Sequence, residues 1–84
     1  GEEDVVGTWV EENLEKVDAD QKISMKDVYS NFKCWAIECG VDKHSSSWLV
    51  RRLKERGCII KIGAKKYNYL YGMKLREDEE EIEW

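Results

Sequence analysis

Residues 45–57 read SSSWLVRRLKERG, and the spacing of their apolar and basic side chains organises the reading of the whole chain. One of Ser45, Ser46 or Ser47 can cap a helix, because a short hydroxyl side chain accepts a hydrogen bond from the free amides of a first turn. Leu49 and Leu53 then fall on one face, with Val50 at its flank, and Gly57 ends the segment. At about 100° per residue the opposite face carries His44, Ser47, Trp48, Arg51, Lys54 and Glu55. The question this raises is whether the basic face is an ordinary solvated surface or a surface for a polyanion.

Downstream, residues 58–62 (CIIKI) form a β-branched run, residues 63–66 (GAKK) a turn, and residues 67–75 (YNYLYGMKL) alternate large and polar side chains. This pattern predicts a β-hairpin whose tip carries Lys65 and Lys66. Upstream, Met25, Val28, Tyr29, Phe32, Trp35, Ala36 and Cys39 make one helical stripe. Ser24, with Asp27 three residues on, suits its N-cap, and Gly40 its end. At this spacing the aromatic stripe is core rather than a ligand box, and Cys39 is core filler. Ile23 sits alone between polar neighbours, as in a short extended segment. Before it, residues 18–22 (DADQK) break the chain. The residues Val6, Trp9, Val10, Leu14 and Val17 form the stripe of a first helix, whose N-terminal end suits Glu2, Glu3 and Asp4.

The predicted order is helix, short strand, helix, helix, strand, basic turn, strand. It implies an α+β fold of the small winged helix–turn–helix kind, with three helices packed on a two- or three-stranded hairpin sheet. Residues 1–76 would make one domain, and the acidic run 77–84 (EDEEEIEW) a disordered tail outside it.

Composition narrows the function. Eighty-four residues hold one core and leave no room for a deep catalytic cavity. One histidine stands without a local acid or nucleophile, and no glycine-rich phosphate loop, HExxH or Gly-x-Ser-x-Gly occurs. The fragment is therefore expected to be no enzyme and to carry no cofactor. Cys34, Cys39, His44 and Cys58 could be written as a zinc set, but the first two diverge by roughly 140° on one helix and their spacing is not that of a zinc knuckle. Three cysteines, an odd number, suit a reducing intracellular compartment such as the cytoplasm. No apolar run approaches the roughly 18 residues of a membrane span, and no segment has the basic-then-apolar order of a signal peptide.

Charge is unevenly divided. Residues 1–42 hold 4 basic and 11 acidic side chains (−7), residues 43–66 hold 8 and 1 (+7), and residues 67–84 hold 2 and 6 (−4), which sum to the net −4. The basic block draws on two elements that lie side by side in such a fold. Arg51, Arg52 and Lys54 come from the third helix, and Lys61, Lys65 and Lys66 from the hairpin. A helix of this width fits the DNA major groove, and a basic hairpin tip meets phosphates beside it. Ser47 and Trp48 near the helix start complete the candidate set, with Arg51 as the base-reading residue and the lysines as positioning contacts. Arg56 lies near the inward side at the helix end and is left out. The competing reading is a protein-docking module; a third has the acidic tail, with Ile82 and Trp84, masking the basic surface.

Tyr29-x-x-Phe32-x-x-Trp35, Gly40, the serine-led helix with Leu49-x-x-x-Leu53 and Gly57, and the closing Tyr71-Gly72-Met73-Lys74-Leu75 together carry a resemblance. Residues 23–75 resemble the C-terminal domain of phage/plasmid and poxvirus-type primase-helicases, whose helicase belongs to superfamily 3. The resemblance implies an accessory domain that engages origin or fork DNA, as duplex, fork or single strand, beside other replication proteins. The primase and ATPase residues would lie upstream. The acidic run 77–84 departs from the family pattern. The left-handed Z-form nucleic-acid binders, another winged-helix class, use a proline-containing wing and an Asn and Tyr on the third helix; this chain has no proline, and its third helix has neither residue.

Overall fold

In the computed structural model, which describes residues 4–76, the basic segment is helix α3, Ser46–Glu55. Ser45 is its N-cap, and its hydroxyl accepts from the Trp48 amide at 3.1 Å. Leu49 and Leu53 are fully buried. That apolar pair fixes the rotation of the helix, and the basic residues are carried outward as a consequence.

Helix α2, Met25–Cys39, starts and stops where its caps require. The Ser24 hydroxyl accepts from the amides of Lys26 (3.1 Å) and Asp27 (3.4 Å), and Gly40 closes the helix in the left-handed conformation at φ 72°. Met25, Val28, Phe32 and Ala36 are buried, and Tyr29 and Trp35 are half-buried. Cys39 continues the stripe but is exposed, which corrects its assignment to the core. The stripe sets the direction of a side chain; the last turn of α2 has nothing packed against it at that position.

The first helix is shorter than its apolar stripe. Helix α1 is Val5–Asn13, and Leu14 turns extended (φ −119°, ψ 153°) to open strand β1, Leu14–Lys16. Leu14 is still buried, because an inward position on a strand serves the core as well as one on a helix. β1 pairs antiparallel with β5, Met73–Leu75, and Lys74 Nζ reaches Glu15 Oε2 at 3.4 Å across the ladder. The Asn13 side-chain amide donates to the Trp9 carbonyl at 3.1 Å, satisfying an acceptor at the end of α1.

The alternating segment after the basic turn is likewise two strands and not one. β4, Asn68–Tyr71, and β5 are separated by Gly72 at φ 77°, a conformation that costs glycine nothing. The kink delivers β4 to a three-stranded antiparallel sheet with β2, Lys22–Ser24, and β3, Ile59–Ile62, in the order β2-β4-β3. β5 leaves for the ladder with β1. A tight turn, Ala64–Lys66, joins β3 to β4.

The architecture is thus a small α+β arrangement of three helices and two antiparallel sheets among the described residues. Trp9 is fully buried at its centre. It meets Phe32 edge to face at 5.3 Å, and its indole N–H donates to Asn31 Oδ1 at 2.8 Å, so the large ring is buried without an orphaned donor. Truncating a ring so placed would cost about 3–5 kcal/mol. No helix among the described residues is long and apolar enough to cross a membrane. The acidic run 77–84 and the first three residues lie outside the described residues.

Candidate nucleic-acid interface

The loop before α3 is fixed from both sides. The Tyr29 hydroxyl donates to the His44 carbonyl at 2.7 Å, and the His44 ring stacks on Trp48 at 3.7 Å and 10°. Trp48 in turn lies 6.0 Å from Phe32, and the Arg52 guanidinium sits 5.4 Å above its indole. Arg52 Nη1 also pairs with Glu55 Oε1 at 3.2 Å. One flank of α3 therefore carries a ladder of His44, Trp48, Arg52 and Glu55, which lines a depression beside the start of α1. Trp48 is half-buried there, and the charge of Arg52 is already partnered.

The other flank differs. Ser47, Arg51 and Lys54 are exposed, and none of them forms an ion pair among the described residues. Together with Asn68 of β4 they border a shallow depression of about 330 Å³. Ser46, Val50 and Asn68 carry that depression into a groove of about 510 Å³, bounded by Lys26 at the start of α2 and by Lys66 and Tyr67 at the hairpin tip. Helix and hairpin thus share one continuous surface, with Arg51 and Lys54 at one end and Lys26 and Lys66 at the other.

Lys65 and Lys66 both occupy the left-handed region, at φ 59° and 64°. Two successive non-glycine residues in that region cost roughly 1–2 kcal/mol each, so the tip holds its two cations at the expense of stability. Lys61 is placed elsewhere. Its ammonium stands 5.3 Å from the Tyr71 ring centroid, on the sheet face turned away from the helices.

Of the eight residues singled out by the sequence, Ser47, Arg51, Lys54 and Lys66 are brought to one surface and Lys65 stands beside them at the tip. Trp48 and Arg52 lie on the opposite flank and Lys61 on the outer sheet face. Lys26 and Asn68 join the surface without having been singled out. Lys26 is an exposed residue in the first turn of a helix chosen for its core stripe, and Asn68 is a polar residue in an alternating strand. Neither carries a signal until the hairpin is set against α3.

The acidic side chains with identified partners lie away from this groove. Glu12 accepts from the Trp35 indole at 3.0 Å, Glu15 pairs with Lys74, Asp4 pairs with Arg56 at 2.9 Å, and Glu55 pairs with Arg52 on the opposite flank of α3. Among the described residues no three His, Cys, Asp or Glu side chains converge as metal ligands would. Cys34 is exposed like Cys39, and Cys58 is half-buried, where burial pushes its thiol above the ordinary value against the opposing pull of Arg56 and Lys16. No protein-family model, curated protein or solved structure matches the chain.

Proposed function

We propose that the chain is a winged-helix DNA-binding domain, and that it serves as the C-terminal accessory module of a primase-helicase of the phage, plasmid or poxvirus type. The observation that carries the reading is the surface shared by Arg51 and Lys54 of α3, which form no ion pair among the described residues, and the Asn68–Lys66 side of the hairpin. Two features support the winged-helix reading: the hairpin that follows α3, and the β2-β4-β3 order, in which the strand before α2 completes the sheet. In this reading α3 enters the major groove with Arg51 toward base edges, and Lys26, Lys54, Lys65 and Lys66 meet phosphates on either side.

Binding of this kind is mainly counterion release. Four phosphate contacts give a slope of about −3.6 in log affinity against log salt, or about a 150-fold loss between 50 and 200 mM. Fluorescence anisotropy of a labelled duplex over that range tests it; an affinity insensitive to salt, or no binding to duplex or forked DNA, overturns the reading.

A protein-docking role is the second reading. Ile37, 76% exposed, stands beside Phe32, Ala36 and Val41 around an apolar depression of about 210 Å³ on the side of α2 near His44. Arg51→Glu with Lys54→Glu, set beside Ile37→Glu, separates the two. Loss of DNA binding in the first variant with replication-partner binding kept in the second supports the first reading, and the opposite pattern supports the second.

A further inference from the structure

The three-stranded sheet has a second face. Ile23, Leu70 and Ile60 form one cross-strand row turned toward the helices, and Leu70 is fully buried. The rows on either side turn outward: Lys22, Tyr71 and Ile59 in one, Ser24, Tyr69 and Lys61 in the other. The central strand therefore presents two tyrosines, flanked by a lysine on each neighbouring strand. Lys22 Nζ lies 4.7 Å from the Tyr69 centroid and 5.8 Å from that of Tyr71; Lys61 Nζ lies 5.3 Å from the latter. Gly63 lets the Tyr69 ring lie against the backbone, because a Cβ there would sit 2.7 Å from its Cδ1. Among the described residues neither lysine has a carboxylate partner.

We propose that this outer sheet face binds single-stranded DNA, with bases stacked on Tyr69 and Tyr71 and the backbone held by Lys22 and Lys61. Two exposed cations favour a polyanion, and two aromatic rings between them favour one with free π-faces. A duplex does not offer them, because its bases are already stacked on one another. The rings are two residues apart on a strand, about 6.8 Å, so they suit splayed bases rather than a continuous stack. Each lysine gives up a cation–π contact worth about 2- to 5-fold at an exposed site, whereas one stacked base is worth about 5- to 150-fold. The exchange favours the bound strand, and the displaced ammonium groups remain beside its phosphates. The choice of DNA over RNA rests on the proposed function; the choice of single strand over duplex rests on this face alone.

The test uses the full chain with fluorescein-labelled dT15 and with a mixed-sequence duplex of the same length, followed by anisotropy at low salt. Tyr69 also lines the groove beside α3, so the selective variant is Tyr71→Thr, which should weaken dT15 binding at least about 5-fold and leave the duplex within about twofold. Tyr69→Phe with Tyr71→Phe should keep both. Arg51→Glu with Lys54→Glu should show the reverse pattern, so failure of the helix surface and failure of this face are told apart. Should circular dichroism show the threonine variant unfolded, Lys22→Gln with Lys61→Gln provides the test by a selective loss of dT15 affinity. Unchanged dT15 binding in the folded variants, or equal losses for duplex and dT15, overturns the proposal, and tighter binding of rU15 than dT15 overturns its assignment to DNA.

Discussion

Asp4 Oδ2 accepts a hydrogen bond from Arg56 Nη1 at 2.9 Å, tying the start of α1 to the end of α3. The same carboxylate caps α1, its Oδ1 accepting from the Gly7 amide at 3.1 Å. The side chains of Arg56 and Asp4 are 38% and 67% exposed, so the pair itself contributes only about 0.2–1 kcal/mol, and the cap about 1 kcal/mol. Asp4→Ala should therefore cost about 1–2 kcal/mol and Arg56→Gln less than about 1 kcal/mol. Thermal melting of both variants and the double variant gives the coupling directly; equal losses for Asp4→Ala and Arg56→Gln would remove the cap from the account.

Trp48 stacks on His44 and lies against Phe32, which makes it a packing residue of the α2–α3 loop. Trp48→Ala should cost about 2 kcal/mol, less than a fully buried ring because one side of the indole is open. Trp48→Phe should retain most of that packing and leave duplex affinity within about twofold. A folded Trp48→Phe variant with a large loss of duplex binding would instead make the indole a DNA contact.

Much of this arrangement was legible in the sequence, and the exceptions share a cause. Ser24, the stripe from Met25 to Ala36 and Gly40 are local signals, and they mark the limits of α2 because caps and periodicity act within a few residues. Leu49 and Leu53 fix the outward direction of Arg51 and Lys54 in the same way. Leu14 suits a helix or a strand equally, and the choice is made by pairing with Leu75 of β5, about sixty positions away. Cys39 has the right direction but no neighbour. The paired tyrosines and lysines of the outer sheet face depend on strand register, which no spacing within β2, β3 or β4 alone reveals. Local chemistry thus set the exposed basic face of α3, and long-range pairing decided which residues lie beside it.

Cys58 gives a pH-dependent signature. Desolvation raises its thiol above the ordinary 9.0, with Arg56 and Lys16 opposing. The native state then keeps the proton that the unfolded chain releases. The group's contribution to stability is complete below about pH 9 and is lost as pH rises through the native value. In a Cys34→Ser, Cys39→Ser background, the rate of iodoacetamide alkylation against pH should have its midpoint above 9.0. A midpoint at or below that value would mean that the two cations outweigh burial.

The hairpin tip holds two lysines in a strained conformation. Lys65 and Lys66 adopt φ 59° and 64°, where glycine is unstrained and lysine is not. Lys65→Gly and Lys66→Gly should each stabilise the domain by about 1 kcal/mol, allowing for the greater backbone entropy of glycine in the unfolded chain. For a domain of this size that is a rise in Tm of about 4–8 °C. If the tip meets phosphates, each substitution should also weaken duplex binding and flatten the salt slope by about 0.9. Lys66→Asn separates the two effects, since asparagine tolerates the left-handed region without supplying charge. It should match glycine in lost affinity while gaining part of the stability. Variants that gain stability and bind duplex unchanged would place the tip outside the DNA interface, and variants that lose stability would show that the surrounding turn, rather than strain, dominates at these two positions.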